Sequence, residues 1–88
     1  MPELSRFDGM TIQMYYDDRQ KHNLPHIHVI CAEDIAVYSL SGKRLEGRLP
    51  KQKENLIKSW IYLRQAELNA AWEKAVNNAK PAKIKPLI

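Results

Sequence analysis

The sequence predicts an α+β fold: a small antiparallel sheet of three or four strands packed against a C-terminal helical region, either one long helix or two shorter helices. Three observations lead there. Apolar residues recur at every second position in the first half of the chain and at every third or fourth position in the second half. The strand-like runs also lie too close together for crossover helices, which excludes a parallel arrangement. With 88 residues the chain is read as one domain spanning 1–88, whose single modest core must share any functional site or carry it on its rim. A content of 44% hydrophobic and 27% charged residues is that of a folded chain rather than a disordered one.

The elements follow in order. In "GMTIQMYYD", Met10, Ile12, Met14 and Tyr16 alternate with Thr11, Gln13 and Tyr15, the period-two pattern of a strand with one apolar face. "HIHVICA" sets Ile27, Val29 and Cys31 on one side and His26, His28 and Ile30 on the other, and "IAVYSL" is a third β-rich run. Glu33 and Asp34 form a tight link between these two strands. Ser41 and Gly42 turn the chain into the short segment "KRLEG", which ends at Gly47 shortly before Pro50. From about Lys51 to Asn77 the residues Leu56, Ile57, Trp60, Ile61, Leu68, Trp72, Ala75 and Val76 make a helical stripe, with a break expected near residues 63–66. Both tryptophans belong to that stripe and are read as core. Pro81 ends the helical region, and residues 80–88 are expected as an extended tail, from which Ile84, Leu87 and Ile88 can dock back or meet another chain.

No run reaches a membrane-spanning length, and the start "MPELSRFDGM" mixes acids and a base where an export signal has an apolar stretch, so the expectation is a cytoplasmic protein without membrane contact. The single Cys31 agrees with a reducing compartment and provides no thiol-based zinc pattern. No motif calls for a cofactor. The net charge of +4 is unevenly spread: residues 1–42 carry three bases against six acids, and residues 43–88 eleven bases against four acids. That asymmetry points to an anionic partner, RNA or an acidic protein, with Arg19, Lys21, Lys51, Lys53 and Lys58 as candidate contacts. A lysine-rich helix is equally an ordinary solubilising surface.

All three histidines fall within seven residues in "DDRQKHNLPHIHV". His26 and His28, two apart on a strand, share one side with attachment points about 6–7 Å apart. One reading is proton transfer on an RNA phosphodiester, with one imidazole as base, the other as acid, and Arg6 stabilising phosphate charge. An alternative is a metal site from His22, His26, His28 and Asp17. The plain alternative is that His26 and His28 are polar-face residues of a hairpin with a long loop. Ile35 and Val37, if they face away from the helices beside Ile30, form an apolar strip suited to a protein partner or a second copy of the chain.

The residues reached so far stand in a recognisable order: "MPELSRFDGMTIQMYYDD", "PHIHV", "DIAVYSL", "EGRLP" and "ELNAAW". This order resembles the bacterial family of domain of unknown function 4160 over nearly the full length. Met1, Pro2, Phe7, Gly9, Met14 and Tyr15 match its opening, Pro25, His26, His28 and Val29 its P-H-F-H-V segment, and Gly47, Leu49 and Pro50 its G-x-L-P boundary. Leu4 and Ile27 are mild apolar exchanges, whereas Leu24 stands where members often have a second proline. The resemblance implies a small toxin of a type II toxin–antitoxin pair, held by an antitoxin-like partner protein, and supplies no catalytic residues. The sequence thus carries three readings: such a toxin acting on RNA, a non-enzymatic protein-interaction subunit, and a small metal-binding domain.

Overall fold

The computed structural model of the chain describes residues 3–14, 24–77 and 79–88. Five strands and two helices follow one another: β1 (Glu3–Phe7), β2 (Met10–Gln13), β3 (His26–Cys31), β4 (Asp34–Ser39), β5 (Arg44–Gly47), α1 (Lys51–Leu63) and α2 (Gln65–Val76). The strands lie in the sheet in chain order, and each pair of neighbours is antiparallel. The fold class is as expected, but the sheet has five strands rather than three or four. β1 escapes a period-two reading because the register shifts between Glu3 and Ser5, so Leu4 and Ser5 are both buried in succession. Its signal lies instead in the following dipeptide: Asp8 and Gly9, with φ of 50° and 78°, supply the two left-handed positions that a two-residue hairpin turn requires.

β3 and β4 run as the alternation predicts, but the turn between them is Ala32 and Glu33, one residue earlier than expected, with Asp34 paired to Cys31. Ala32 has φ of 54°, a conformation in which its Cβ crowds the backbone. The β4–β5 connection, residues 40–43, is a tight loop in which the Gly42 amide donates to the Ser39 carbonyl, the Ser39 amide donates to the Lys43 carbonyl, and Gly42 takes φ of 95°. β2 is assigned through Gln13 and followed by buried Met14; the expected extension to Tyr16 falls outside the described residues.

One face of the sheet carries Met10, Ile12, Ile27, Val29, Ala36 and Tyr38, which form one buried cluster with Ile57, Trp60 and Ile61 of α1 and Leu68, Ala71 and Ala75 of α2. Phe7 and Trp60 meet there with ring centroids 5.8 Å apart. The helical region breaks at Arg64, with φ of −112° and ψ of 28°, inside the window that the sequence marked. The Arg64 guanidinium reaches the tail, donating to the carbonyls of Lys85 and Pro86, and the Trp60 indole donates to the Lys85 carbonyl at 2.9 Å. The Ile84 amide donates to the Leu4 carbonyl at 2.7 Å, so the segment after α2 joins the β1 edge to the helix break. Ile84 is buried and Leu87 half-buried, whereas Ile88 is exposed. Among the described residues no helix is long and apolar enough to cross a membrane.

Two backbone positions give stability tests. At Gly47, φ is 75°, and a Cβ would collide with the Ile35 carbonyl oxygen and lie 2.9 Å from Ala36 Cα, backbone atoms that cannot move aside. Gly47→Ala is therefore expected to cost about 2–4 kcal/mol in urea unfolding. Ala32→Gly relieves a left-handed alanine and is expected to add about 0.5–1 kcal/mol in the same measurement.

Candidate functional site

Register places the sequence-predicted residues on the face opposite the helix-packed core. His28 lies opposite Gln13 on one side and Val37 on the other, and His26 lies opposite Ser39. The two imidazoles are together, with ring centroids 5.3 Å apart at an interplanar angle of 64°. They differ in access. His26 is 0% exposed, and its ring lies 5.2 Å from that of Trp72 on α2. His26 Nδ1 lies 2.8 Å from the Leu24 carbonyl oxygen; a carbonyl only accepts, so Nδ1 carries a proton and donates it to this bond. His28 is half-buried. Trp72 lies in the helical stripe as expected, and its ring packs on this histidine.

Arg6 is on the same face but not at the histidines. Its row is Thr11, Ile30 and Ile35, two strands and one pleat away from His28, roughly 12 Å between backbones by strand spacing. Its guanidinium donates to Glu3 Oε1 at 2.8 Å. The strip of Ile30, Ile35 and Val37 is only partly open: Ile35 is 58% exposed, Ile30 is half-buried, and Val37, at 4%, is a buried residue rather than a surface one. Asp17, Arg19, Lys21 and His22 lie outside the described residues. Among the described residues no three His, Cys, Asp or Glu side chains converge as a metal site.

The lysines of α1 divide by role. Lys53 fastens the helix to the first hairpin, its ammonium 2.9 Å from Asp8 Oδ2 and 2.7 Å from the Asp8 carbonyl oxygen. Lys51 and Lys58 are exposed, and together with Lys43 and Arg48 they make no ion pair among the described residues. Within this basic margin the acid Glu54 is held from both sides. Tyr38 Oη donates to Glu54 Oε2 at 2.7 Å from the sheet, and Arg44 approaches the same oxygen at 3.4 Å from β5. The Tyr38 bond, followed by Lys58, Arg44 and Arg48, holds the Glu54 carboxyl below its ordinary value of 4.5, against the opposing effect of burial. The Tyr38 phenol is pushed well above its ordinary 10.0, first by burial and then by Glu54, so it stays a neutral donor at physiological pH.

Sequence reasoning missed Tyr62, Gln65 and the Tyr38–Glu54 bond. Tyr62 had a signal: it is an aromatic residue on the polar side of the α1 stripe, four residues after Lys58. Together with Ser41, Gly42, Ile61 and Gln65, these two residues line an open groove of about 530 Å³ between the β4–β5 turn and α1.

The sign of the Glu54 shift gives a pH test. Because the folded value is lowered, the contribution is complete above about pH 4.5 and is lost as pH falls through the lower folded value. Glu54→Gln is thus expected to destabilise the protein at pH 7 by thermal melting, with the deficit shrinking towards pH 3. Tyr38→Phe should cost about 1.5–3 kcal/mol at pH 7, since it removes the phenol donor from a confined carboxylate.

A family model described as "Domain of unknown function (DUF4160)" matches residues 9–73. No curated protein and no solved structure matches the chain. The matched span leaves out Met1, Pro2 and Phe7 of the opening pattern, and takes in the histidine strand, the Gly47 close approach, α1 and α2 as far as Glu73. With more than half of its length covered by that model, the chain belongs to the DUF4160 family.

Proposed function

We propose that the chain is the toxin component of a bacterial type II toxin–antitoxin pair and that it acts on RNA through the basic margin formed by β5 and α1. The observation that carries this reading is the set of exposed cations Lys43, Arg48, Lys51 and Lys58 beside β5 and on α1, none of them in an ion pair among the described residues. Such a margin attracts a polyanion, and phosphates supply the matching charge. The family resemblance supplies the two-protein setting, in which a small antitoxin-like protein competes for the same surface. Burial of His26 argues against its direct contact with a phosphodiester, so a proton-transfer step, if the toxin has one, runs through His28.

Controlled induction in a bacterial host tests this reading, with wild type, Lys51→Glu/Lys58→Glu and His28→Ala compared at matched soluble expression and confirmed folded by circular dichroism. His26→Ala is unsuitable, because removing a fully buried ring packed on Trp72 threatens the fold itself. The expected result is growth arrest and falling RNA integrity with wild type, and loss of both with the lysine variant. No arrest by wild type contradicts the toxin assignment; arrest that survives the lysine variant but not His28→Ala moves the action to the histidine face.

A second reading, a non-enzymatic protein-interaction subunit, draws support from Ile35, an exposed apolar side chain in the same row as Ile30. There the partner, an antitoxin-like protein or a second copy of the chain, covers the sheet face. Ile35→Glu is expected to abolish that association in size-exclusion chromatography with the co-expressed partner, and an unchanged elution profile rejects the site.

A further inference from the structure

We propose that the groove between the β4–β5 turn and α1 holds one unpaired base of single-stranded RNA, with Tyr62 stacking on its face, Gln65 accepting a hydrogen bond from its edge, and Lys58 meeting an adjacent phosphate. The inference rests on the RNA reading above and assigns it a place.

The groove owes its shape to two elements whose contacts keep them side by side. Along α1, Glu54, Lys58 and Tyr62 recur every fourth residue and so share one side of the helix. Arg44 of β5 meets Glu54 at one end, and at the other the Gln65 side chain meets the carbonyl of Leu40, just before the turn. Between these two ties lie Ser41 and Gly42, small residues that leave room opposite Lys58 and Tyr62, above the buried Ile61.

Three features favour a nucleobase. Tyr62 is 80% exposed, an aromatic ring kept on the surface next to a cation, which is the combination used by sequence-tolerant single-strand binding sites. Gln65 Nε2 donates to two carbonyl oxygens, Leu40 at 2.6 Å and Ile61 at 2.9 Å. Since carbonyls only accept, the orientation of the amide is fixed, both of its hydrogens are engaged, and Oε1 of this groove-lining residue is left as the acceptor that the proposal assigns to the base. Every base presents an N–H on its pairing edge, and in a duplex that N–H is already engaged, so the acceptor selects single strands. The third feature is charge: Lys58 lines the groove, and Lys43 continues the cationic rim one residue after Gly42. An acidic peptide suits the lysines but not the remaining lining, where a fixed carbonyl acceptor repels a carboxylate. The observations therefore favour RNA over an acidic protein segment.

The test is fluorescence anisotropy with 5′-labelled eight-nucleotide RNA of mixed sequence, against wild type, Tyr62→Ala, Tyr62→Phe and Lys58→Gln. Thermal melts serve as the fold control, since these side chains lie on the surface. Tyr62→Ala is expected to weaken binding about tenfold or more, and Tyr62→Phe to keep it. Lys58→Gln should lower the log–log salt slope by about 0.7, one single-strand phosphate contact. A blunt RNA duplex of the same sequence should bind at least tenfold more weakly. If wild type binds the RNA and Tyr62→Ala binds equally well, the groove assignment is overturned while the RNA reading stands. If wild type binds poly-glutamate but not RNA, the RNA reading falls and takes the groove assignment with it.

Discussion

The hydrogen bond from Tyr38 to Glu54 is the constraint on which the functional half of this molecule depends. It ties the first turn of α1 to β4 at 2.7 Å, from a phenol with no exposed surface, and a second tie from Arg44 sets β5 against the same carboxylate. A hydrogen bond to a charged group in such a place contributes about 1.5–3 kcal/mol, more than a typical exposed ion pair. With Glu54 fixed, the helical repeat carries Lys58 and Tyr62 to the side facing the β4–β5 turn, and Gln65 closes the far end on the Leu40 carbonyl. Lys53 performs the corresponding task for the first hairpin by gripping Asp8. The helix is thus located by polar contacts at its margins and by Ile57, Trp60 and Ile61 beneath.

This arrangement gives the two halves of a small sheet different uses. On one face the core is continuous and apolar. On the other lie His26, His28 and Ser39; His26 is buried with the Trp72 ring of α2 packed on it, so the most conspicuous polar motif of the sequence is partly interior. His26, with its proton directed to the Leu24 carbonyl, helps to hold the chain as it enters β3. The family-matched segment around Pro25, His26 and His28 therefore has a structural explanation that needs no substrate. On the basic margin Lys43, Arg48, Lys51 and Lys58 are exposed and make no ion pair among the described residues, and Lys58 and Arg48 add to the charge that holds Glu54 ionised.

Much of the fold was legible because it follows from side-chain periodicity. The strands at Met10, His26 and Asp34 and the helical stripe from Lys51 depend on apolar repeats that any aqueous fold must bury, and the break at Arg64 shows as a shift of face. β1 was obscured because its bulge places Leu4 and Ser5 inward together, although Asp8 and Gly9 announced the hairpin. The site was less legible for a different reason. Residue types suggest what a side chain can do, but burial decides whether it does it, and nothing in "PHIHV" reveals that Trp72, more than forty positions later, packs on His26. Likewise Tyr38 and Glu54 are joined only through tertiary structure, so the helix face that meets the turn, and with it the grouping of Tyr62 and Gln65 with Ser41, is visible only once the chain is folded.

We propose the groove along α1, rather than the histidine strand, as the surface at which the chain meets RNA. The most direct test is an amide chemical-shift map of ¹⁵N-labelled protein titrated with an unlabelled eight-nucleotide single-stranded RNA. The largest shifts are expected at Ser41, Gly42, Lys58, Tyr62 and Gln65. Shifts centred instead on Gln13, His28 and Val37, with the α1 margin unmoved, contradict it.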